Sequence, residues 1–205
     1  MKRLLLVFLF IVFVVDLCII GLQLGSSLRY FTKPLLVPIL IIYYSFNVQK
    51  LNWLFVAGLI MCFFGDLFLM FSWGFIAGLS SFLIAHILYN LTFKRLFHRK
   101  NLLSIPVIIL FIVCLCAFLF PHLGAMKIPV FLYALTIGLM QYTALGTNLK
   151  WLIIGALLFV LSDSILSINL FYQKSIIGSL CVMLTYVIAQ FCLVRGMIKS
   201  SFRME

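Results

Sequence analysis

Eight apolar runs, each close to the length of a bilayer-crossing helix, follow one another along this chain with short polar breaks between them. They cover residues 4–24, 30–47, 53–72, 74–93, 102–121, 128–146, 151–171 and 175–195. A helix needs about 20 residues to cross the hydrocarbon, where the backbone must satisfy its own polar groups. Composition points the same way. Of the 205 residues, 66% are hydrophobic and 9% charged, and a soluble domain of that length would lack the polar surface to cover its core. The expected fold is all-α: a polytopic transmembrane bundle of eight helices, forming one integral-membrane domain over residues 1–205.

The second run is the weakest, because Lys33, Pro34 and Pro38 interrupt its first turns. Trp53, Trp73 and Trp151 fall at expected helix ends, where interfacial aromatics belong. Lys2-Arg3 ahead of an apolar stretch resembles a signal peptide. The run is nevertheless long enough to span, carries Asp16 and lacks an Ala-x-Ala cleavage site, so it reads as the first anchored helix. Basic residues set the orientation. One side of an eight-span bundle receives Lys2, Arg3, Lys50, Lys94, Arg95, Arg99, Lys100, Lys150, Arg195, Lys199 and Arg203; the other receives Arg29, Lys33, Lys127 and Lys174. Eleven against four places both termini in the cytoplasm. Short basic loops without retention or glycosylation-rich segments point to a bacterial inner membrane.

The chain has four acidic residues, and three of them, Asp16, Asp66 and Asp163, fall inside apolar runs. A carboxylate there costs roughly 2.5–3.5 kcal/mol on insertion scales, so such a residue usually has a task. Asp66 and Asp163 sit in matching contexts, Phe64-Gly65-Asp66-Leu67 and Leu161-Ser162-Asp163-Ser164. Runs one, three and seven share a direction, and each carries its aspartate about two thirds of the way along, somewhat outward of the midplane. Tyr89 follows Asp66, and Tyr186 follows Asp163, by the same 23 positions. An ancestral duplication of a helix pair and coincidence both account for that spacing. A duplication would be of the parallel kind.

Helical spacing gathers the other polar groups into stripes that should face the bundle interior, since lipid offers no partners. His86, Tyr89 and Asn90 cluster on the fourth run; Ser179, Tyr186 and Gln190 share a face of the eighth. Tyr133 lines up with Met140 and Gln141 on the sixth, while the seventh carries Ser162, Ser164 and Ser167 around Asp163. A lone hydroxyl in a membrane helix is more often interhelical glue than chemistry.

Several function classes are excluded. The net charge of +11 comes from basic residues scattered singly, a topogenic pattern and not a nucleic-acid stripe. The six cysteines lie in apolar runs and read as small hydrophobes. A zinc hydrolase needs about three converging ligands, but His86 is the one histidine in a run, and the one glutamate, Glu205, is terminal. Neither a His-Glu-x-x-His helix nor a rhomboid-like serine motif occurs; Gly78-Leu79-Ser80-Ser81 fails the latter. No metal or cofactor is expected. A carboxylate pair with His, Tyr and Lys survives this elimination.

Taken in order, Lys33-Pro34-Leu35-Leu36-Val37-Pro38, Gly65-Asp66-Leu67-Phe68-Leu69-Met70, Phe82-x-x-x-His86-x-x-Tyr89, Tyr133 with Met140, Leu161-Ser162-Asp163-Ser164-Ile165-Leu166 and Tyr186-x-x-Ala189-Gln190 resemble the YhhN-type lysoplasmalogenase family. The resemblance runs from about residue 30 to 195 and leaves the first helix, with Asp16, outside. It implies an eight-helix enzyme that hydrolyses the vinyl ether of lysoplasmalogens, releasing a fatty aldehyde and glycerophosphoethanolamine or glycerophosphocholine. The family pattern carries to Lys33, Asp66, His86, Tyr89, Tyr133, Asp163, Tyr186 and Gln190.

That reaction suits the residues. Vinyl ethers hydrolyse by protonation at the β-carbon, so a site needs one carboxylic acid holding its proton near neutral pH and one anion facing the oxocarbenium ion. Two carboxyls in low dielectric can divide those roles. Asp66 and Asp163 are the expected pair, roles unassigned, with His86, Tyr89, Ser162, Tyr186 and Gln190 orienting water or tuning the carboxyls. Lys33 would bind the lipid phosphate or pair with one aspartate. His86 lies about 12 residues into its helix and Asp66 about six from the outer end of its own, which puts His86 roughly 9 Å deeper. The alternative class is a proton-coupled small-molecule or lipid transporter using the same aspartates.

Overall fold

The computed structural model describes residues 2–201; Arg203, one of the basic residues counted above, and Glu205 lie outside them. Eight α-helices make up the described residues: α1 (Lys2–Gly21), α2 (Ser26–Ser45), α3 (Trp53–Phe68), α4 (Phe75–Arg95), α5 (Ser104–Leu119), α6 (Lys127–Gly146), α7 (Lys150–Phe171) and α8 (Ile176–Ser201). Short 3₁₀ turns precede α4 and join α5 to α6. Six helical stretches, including all of α1, α7 and α8, are long and apolar enough to cross a membrane. Of the remaining two, α3 is apolar but only 16 residues long, and α2 carries Arg29, Lys33 and two prolines. The chain is an integral, multi-pass membrane protein.

Three boundaries differ from the sequence expectation by four residues or more. Helix α2 starts at Ser26, so Pro34 and Pro38 are interior positions and not first-turn residues. A proline there removes a hydrogen bond to the carbonyl four residues earlier, which weakens the helix where it carries its cations. Helix α3 stops at Phe68, four residues early. The chain then folds back through the Ser72–Gly74 turn so tightly that a Cβ on Gly74 would collide with the Phe68 carbonyl oxygen. Helix α8 continues six residues past 195, to Ser201, its last turns buried through Gly196, Met197 and Ile198.

Helices adjacent in sequence pack as antiparallel hairpins, α3 on α4 and α7 on α8 most extensively. Joining contacts run between α4 and α6 and between α2 and α8, so the second helix of each four-helix half meets the fourth helix of the other. One core runs through the bundle, with Leu36, Leu40, Tyr44, Phe55, Tyr89, Met140, Phe159 and Leu193 almost fully enclosed. By contrast α5, packed mainly on α6, buries only Ile112 and Leu119 and turns most of its surface outward.

Without a hydrophobic drive between helices in lipid, close approach at small residues supplies the packing. The α7–α8 hairpin has two such points in register. Gly155 faces Leu193, and Gly196 faces Leu152, each 2.9 Å from the opposing backbone nitrogen if a Cβ is added. We expect Gly155→Val to overpack this seam and lower the melting temperature in detergent by roughly 2–10 °C. Ile154→Val, on the outward face next to it, should leave the melting temperature within about 2 °C; a fluorescence-detected thermal melt compares the two.

Candidate functional site

Asp66 enters the bundle from the last turns of α3 and is almost completely buried. Both carboxylate oxygens are met by donors. Lys33, on α2, places its Nζ 3.1 Å from Oδ1, and Tyr186, on α8, donates its hydroxyl to Oδ2 at 2.6 Å. A carboxylate taken out of water needs such partners. Lys33 is therefore occupied by an aspartate, and of the two roles expected for it the pairing role is the one its geometry fits.

Asp163 projects from the middle of α7, and its environment is of another kind. Tyr133, on α6, donates to Oδ2 at 2.5 Å, and the Nε2 of His86, on α4, lies 3.6 Å from the same oxygen. Among the described residues no donor reaches Oδ1. The His86 ring is fully enclosed, with Tyr133 and Phe159 edge-on to it, and neither ring nitrogen makes a hydrogen bond. His86 therefore meets Asp163 and is not among the partners of Asp66. The correspondence between the halves extends further. Each aspartate is contacted by a residue of the preceding helix, Lys33 in one half and Tyr133 in the other.

Both aspartates line one cavity of about 490 Å³ at the end of the bundle away from the described termini. Its wall includes Arg29, Lys33, Ser162, Lys174 and Tyr186. Three cations thus look onto two acids. A second space, about 360 Å³ and almost wholly apolar, runs between α5, α6 and α7 from Phe171 to Ser104 and Leu145. Asp163, Phe82, Leu166 and Leu170 line both, so Asp163 stands where the polar cavity meets the apolar groove.

The other expected side chains divide. Ser162 lines the polar cavity while its hydroxyl donates to the Val182 carbonyl at 3.1 Å, tying α7 to α8. Tyr89 and Gln190 do not reach the carboxylates: the Tyr89 hydroxyl donates to Gln190 Oε1 at 3.2 Å, with Cys62 Sγ at 3.6 Å. Tyr89 rests against Gly58, where any Cβ would strike its ring, so this pair braces the bundle below the cavity. Where the sequence expectation had them orienting water or tuning the carboxyls, their hydrogen bonds run to each other and to Cys62. Arg29 and Lys174 are cavity residues that a count of topogenic charge passes over. The signal was available: of the four basic residues on the sparse side of the count, three line this cavity. Among the described residues no three His, Cys, Asp or Glu side chains come together as a metal site requires.

Comparison with known proteins places this geometry. The proteins named lysoplasmalogenase of Mycobacterium tuberculosis and Mycobacterium bovis are each 28% identical over 160 residues, covering 72% of this chain. This chain spans 61% of the length of those mycobacterial relatives. The protein named lysoplasmalogenase TMEM86B of Rattus norvegicus is 29% identical over 171 residues, 82% of this chain and 71% of its own. No solved structure matches the chain. The profile of the YhhN family matches residues 28–197. That match runs from α2 into α8, across the six helices that supply the cavity carboxylates and their partners, and the chain belongs to the YhhN family.

Proposed function

We propose that this chain is an intramembrane hydrolase that cleaves the vinyl ether of lysoplasmalogens by carboxylic-acid catalysis. The observation that carries the reading is the position of Asp163 between a cationic cavity and an apolar groove. A lysoplasmalogen has the same order of parts: phosphate head, glycerol, vinyl ether, hydrocarbon tail. With the tail in the groove and the head between Arg29 and Lys174, the reactive bond lies at the acids. The names of the mycobacterial and rat relatives support the same substrate class. By the basic-residue count the cavity opens on the side opposite the cytoplasm, in a bacterial inner membrane.

The two environments divide the labour. Asp66, with an ammonium at one oxygen and a phenol at the other, is suited to remain the anion. Asp163 has a free Oδ1 and neutral partners at Oδ2, and is suited to hold a proton there. In the reaction the Oδ1 proton passes to the β-carbon as the π electrons form the new C–H bond. Positive charge develops over the α-carbon and the ether oxygen and is stabilised by the Asp66 carboxylate. Water adds to the α-carbon and loses a proton to Asp163, which regenerates the acid. The hemiacetal then breaks its bond to the glycerol oxygen, giving aldehyde and alcohol. Tyr133 fixes the Asp163 rotamer, and His86 with Phe159 shields it from bulk water.

Purified protein in detergent should release aldehyde from a lysoplasmalogen with no ion gradient, whereas a proton-coupled transporter would release none. Asp163→Asn and Asp66→Asn should each lower kcat by about 10²–10⁴-fold. Full turnover by either folded variant rules out the two-carboxyl mechanism. The anionic role of Asp66 has a signature in stability. Lys33→Met alone should cost roughly 2–4 kcal/mol by stranding a buried charge, and Lys33→Met with Asp66→Asn should recover much of that. Thermal melts of the single and double variants measure it; a double variant no more stable than Lys33→Met would mean that Asp66 is not an anion.

A further inference from the structure

The third buried aspartate takes no part in the scheme above. Asp16 lies on α1, ahead of the family match at residues 28–197, and is completely enclosed. Its Oδ1 accepts from the Thr32 hydroxyl at 2.6 Å, while Arg29 approaches side-on, Nε to Oδ1 and Nη2 to Oδ2, both at 3.4 Å. All of this links α1 to the first turns of α2. Among the described residues nothing bonds Nη1 of Arg29, and the guanidinium remains partly exposed in the cavity that Asp66 and Asp163 line.

We propose that Asp16 is a positioning residue that holds Arg29 as the phosphate-binding cation of this cavity, so that α1 completes the substrate site. This rests on the hydrolase reading and adds to it the group that recognises the head. Three observations carry it. Arg29 and Lys33 are one helical turn apart on α2 and line the same cavity, and Lys33 is already committed to Asp66. One turn outward is also where a lysolipid phosphate would sit, since the three glycerol carbons between vinyl ether and phosphate span on the order of one helical turn, about 5.4 Å. Lys174, from the α7–α8 turn, lines the cavity beside Arg29 and supplies a second positive charge for the same anion.

The anchoring follows from the charges. An arginine on a flexible stem, facing a cavity with two carboxyls, is attracted to those carboxyls. Asp16 offers a competing anion fixed in the bundle by Thr32 and takes the Nε–Nη2 edge. The Nη1 edge is left for an incoming anion, and phosphate oxygens match the remaining guanidinium donors. A buried ion pair is weak evidence for stability in itself, because apolar residues of the same volume often do as well. Its placement at the cavity wall is what gives this pair a role.

The test is a binding measurement that needs no turnover. Intrinsic tryptophan fluorescence in detergent would follow titration with three probes: a saturated alkyl ether lysophosphoethanolamine, the corresponding alkylglycerol without phosphate, and inorganic phosphate. The wild-type protein should prefer the phospholipid to the alkylglycerol. Arg29→Gln should weaken phospholipid binding by about 10–100-fold while the alkylglycerol moves less than about twofold. Asp16→Asn should remove about 3–10-fold of the phosphate preference, and in the Arg29→Gln background it should remove less than about twofold more. Arg29→Gln with its full phosphate preference would overturn the proposal. So would an Asp16→Asn loss that is equal for both lipids, that persists in the Arg29→Gln background, or that reflects misfolding while Arg29→Gln keeps the preference. Inorganic phosphate binding as tightly as the lysolipid would also overturn it, by marking a free-phosphate site. The hydrolase reading fails separately, if wild-type protein binds the lysolipid yet frees no aldehyde from its vinyl ether counterpart.

Discussion

A carboxylate inside hydrocarbon has to be met by donors, and that requirement organises this protein. Three aspartates inside the bundle are each supplied from helices other than their own. Asp16 on α1 is met by α2, Asp66 on α3 by α2 and α8, and Asp163 on α7 by α6 and α4. In water these partnerships would contribute little, because solvent would satisfy either side. In lipid an unmet carboxylate is costly, so the same contacts fix which helices are neighbours at the cavity end. At the opposite end neutral amide and hydroxyl pairs do the tying, as where Asn90 donates to the Thr136 carbonyl and accepts from Thr143, linking α4 to α6.

The two halves use one plan with different chemistry. In each, an aspartate in the second half of the third helix is contacted by a residue of the second, and the tyrosine 23 positions after it lies on the fourth. The partner from the second helix is a lysine in one half and a tyrosine in the other, which makes the two acids inequivalent. The tyrosines differ as well. Tyr186 crosses to Asp66 in the other half, whereas Tyr89 turns to Gln190 and leaves His86 to face Asp163. Near-symmetry brings two carboxyls into one cavity, and its breaking gives one a charged partner and the other neutral ones. Acid catalysis with an anionic stabiliser needs that kind of asymmetry.

How much of this could be read from the sequence follows from which signals are local. Helix positions were legible because hydropathy is a property of a segment, and all eight runs overlap the observed helices. Asp66 and Asp163 stood out because each is an anomaly in its own segment. Arg29 did not, since a basic residue near a span end has a topogenic explanation that needs no partner. Its partner Asp16 stood out in its own segment but lies on a different helix, so only their proximity reveals the pair. The pairing of Tyr89 with Gln190 was hidden for a similar reason: periodicity gives the face on which a side chain lies, and the depth at which it finds a partner depends on how the helices are offset. The early end of α3 depended on a glycine turn at Gly74 that hydropathy does not register.

On the proposed function, the sparse packing of α5 acquires a use. A helix that leans mainly on α6 and buries so little of itself gains little in stability from its neighbours, yet its gap from α7 is what opens the apolar groove. A lysolipid already has its tail in the bilayer. Drawing that tail into a protein groove trades one apolar environment for another and costs little, whereas lifting the whole lipid through water would expose a long chain. The head group cannot follow through hydrocarbon at low cost, so it has to travel along the interface, where Arg29 and Lys174 line the polar cavity. On the proposed function, the reactive bond between head and tail would thereby come to Asp163, the one acidic residue that lines both spaces.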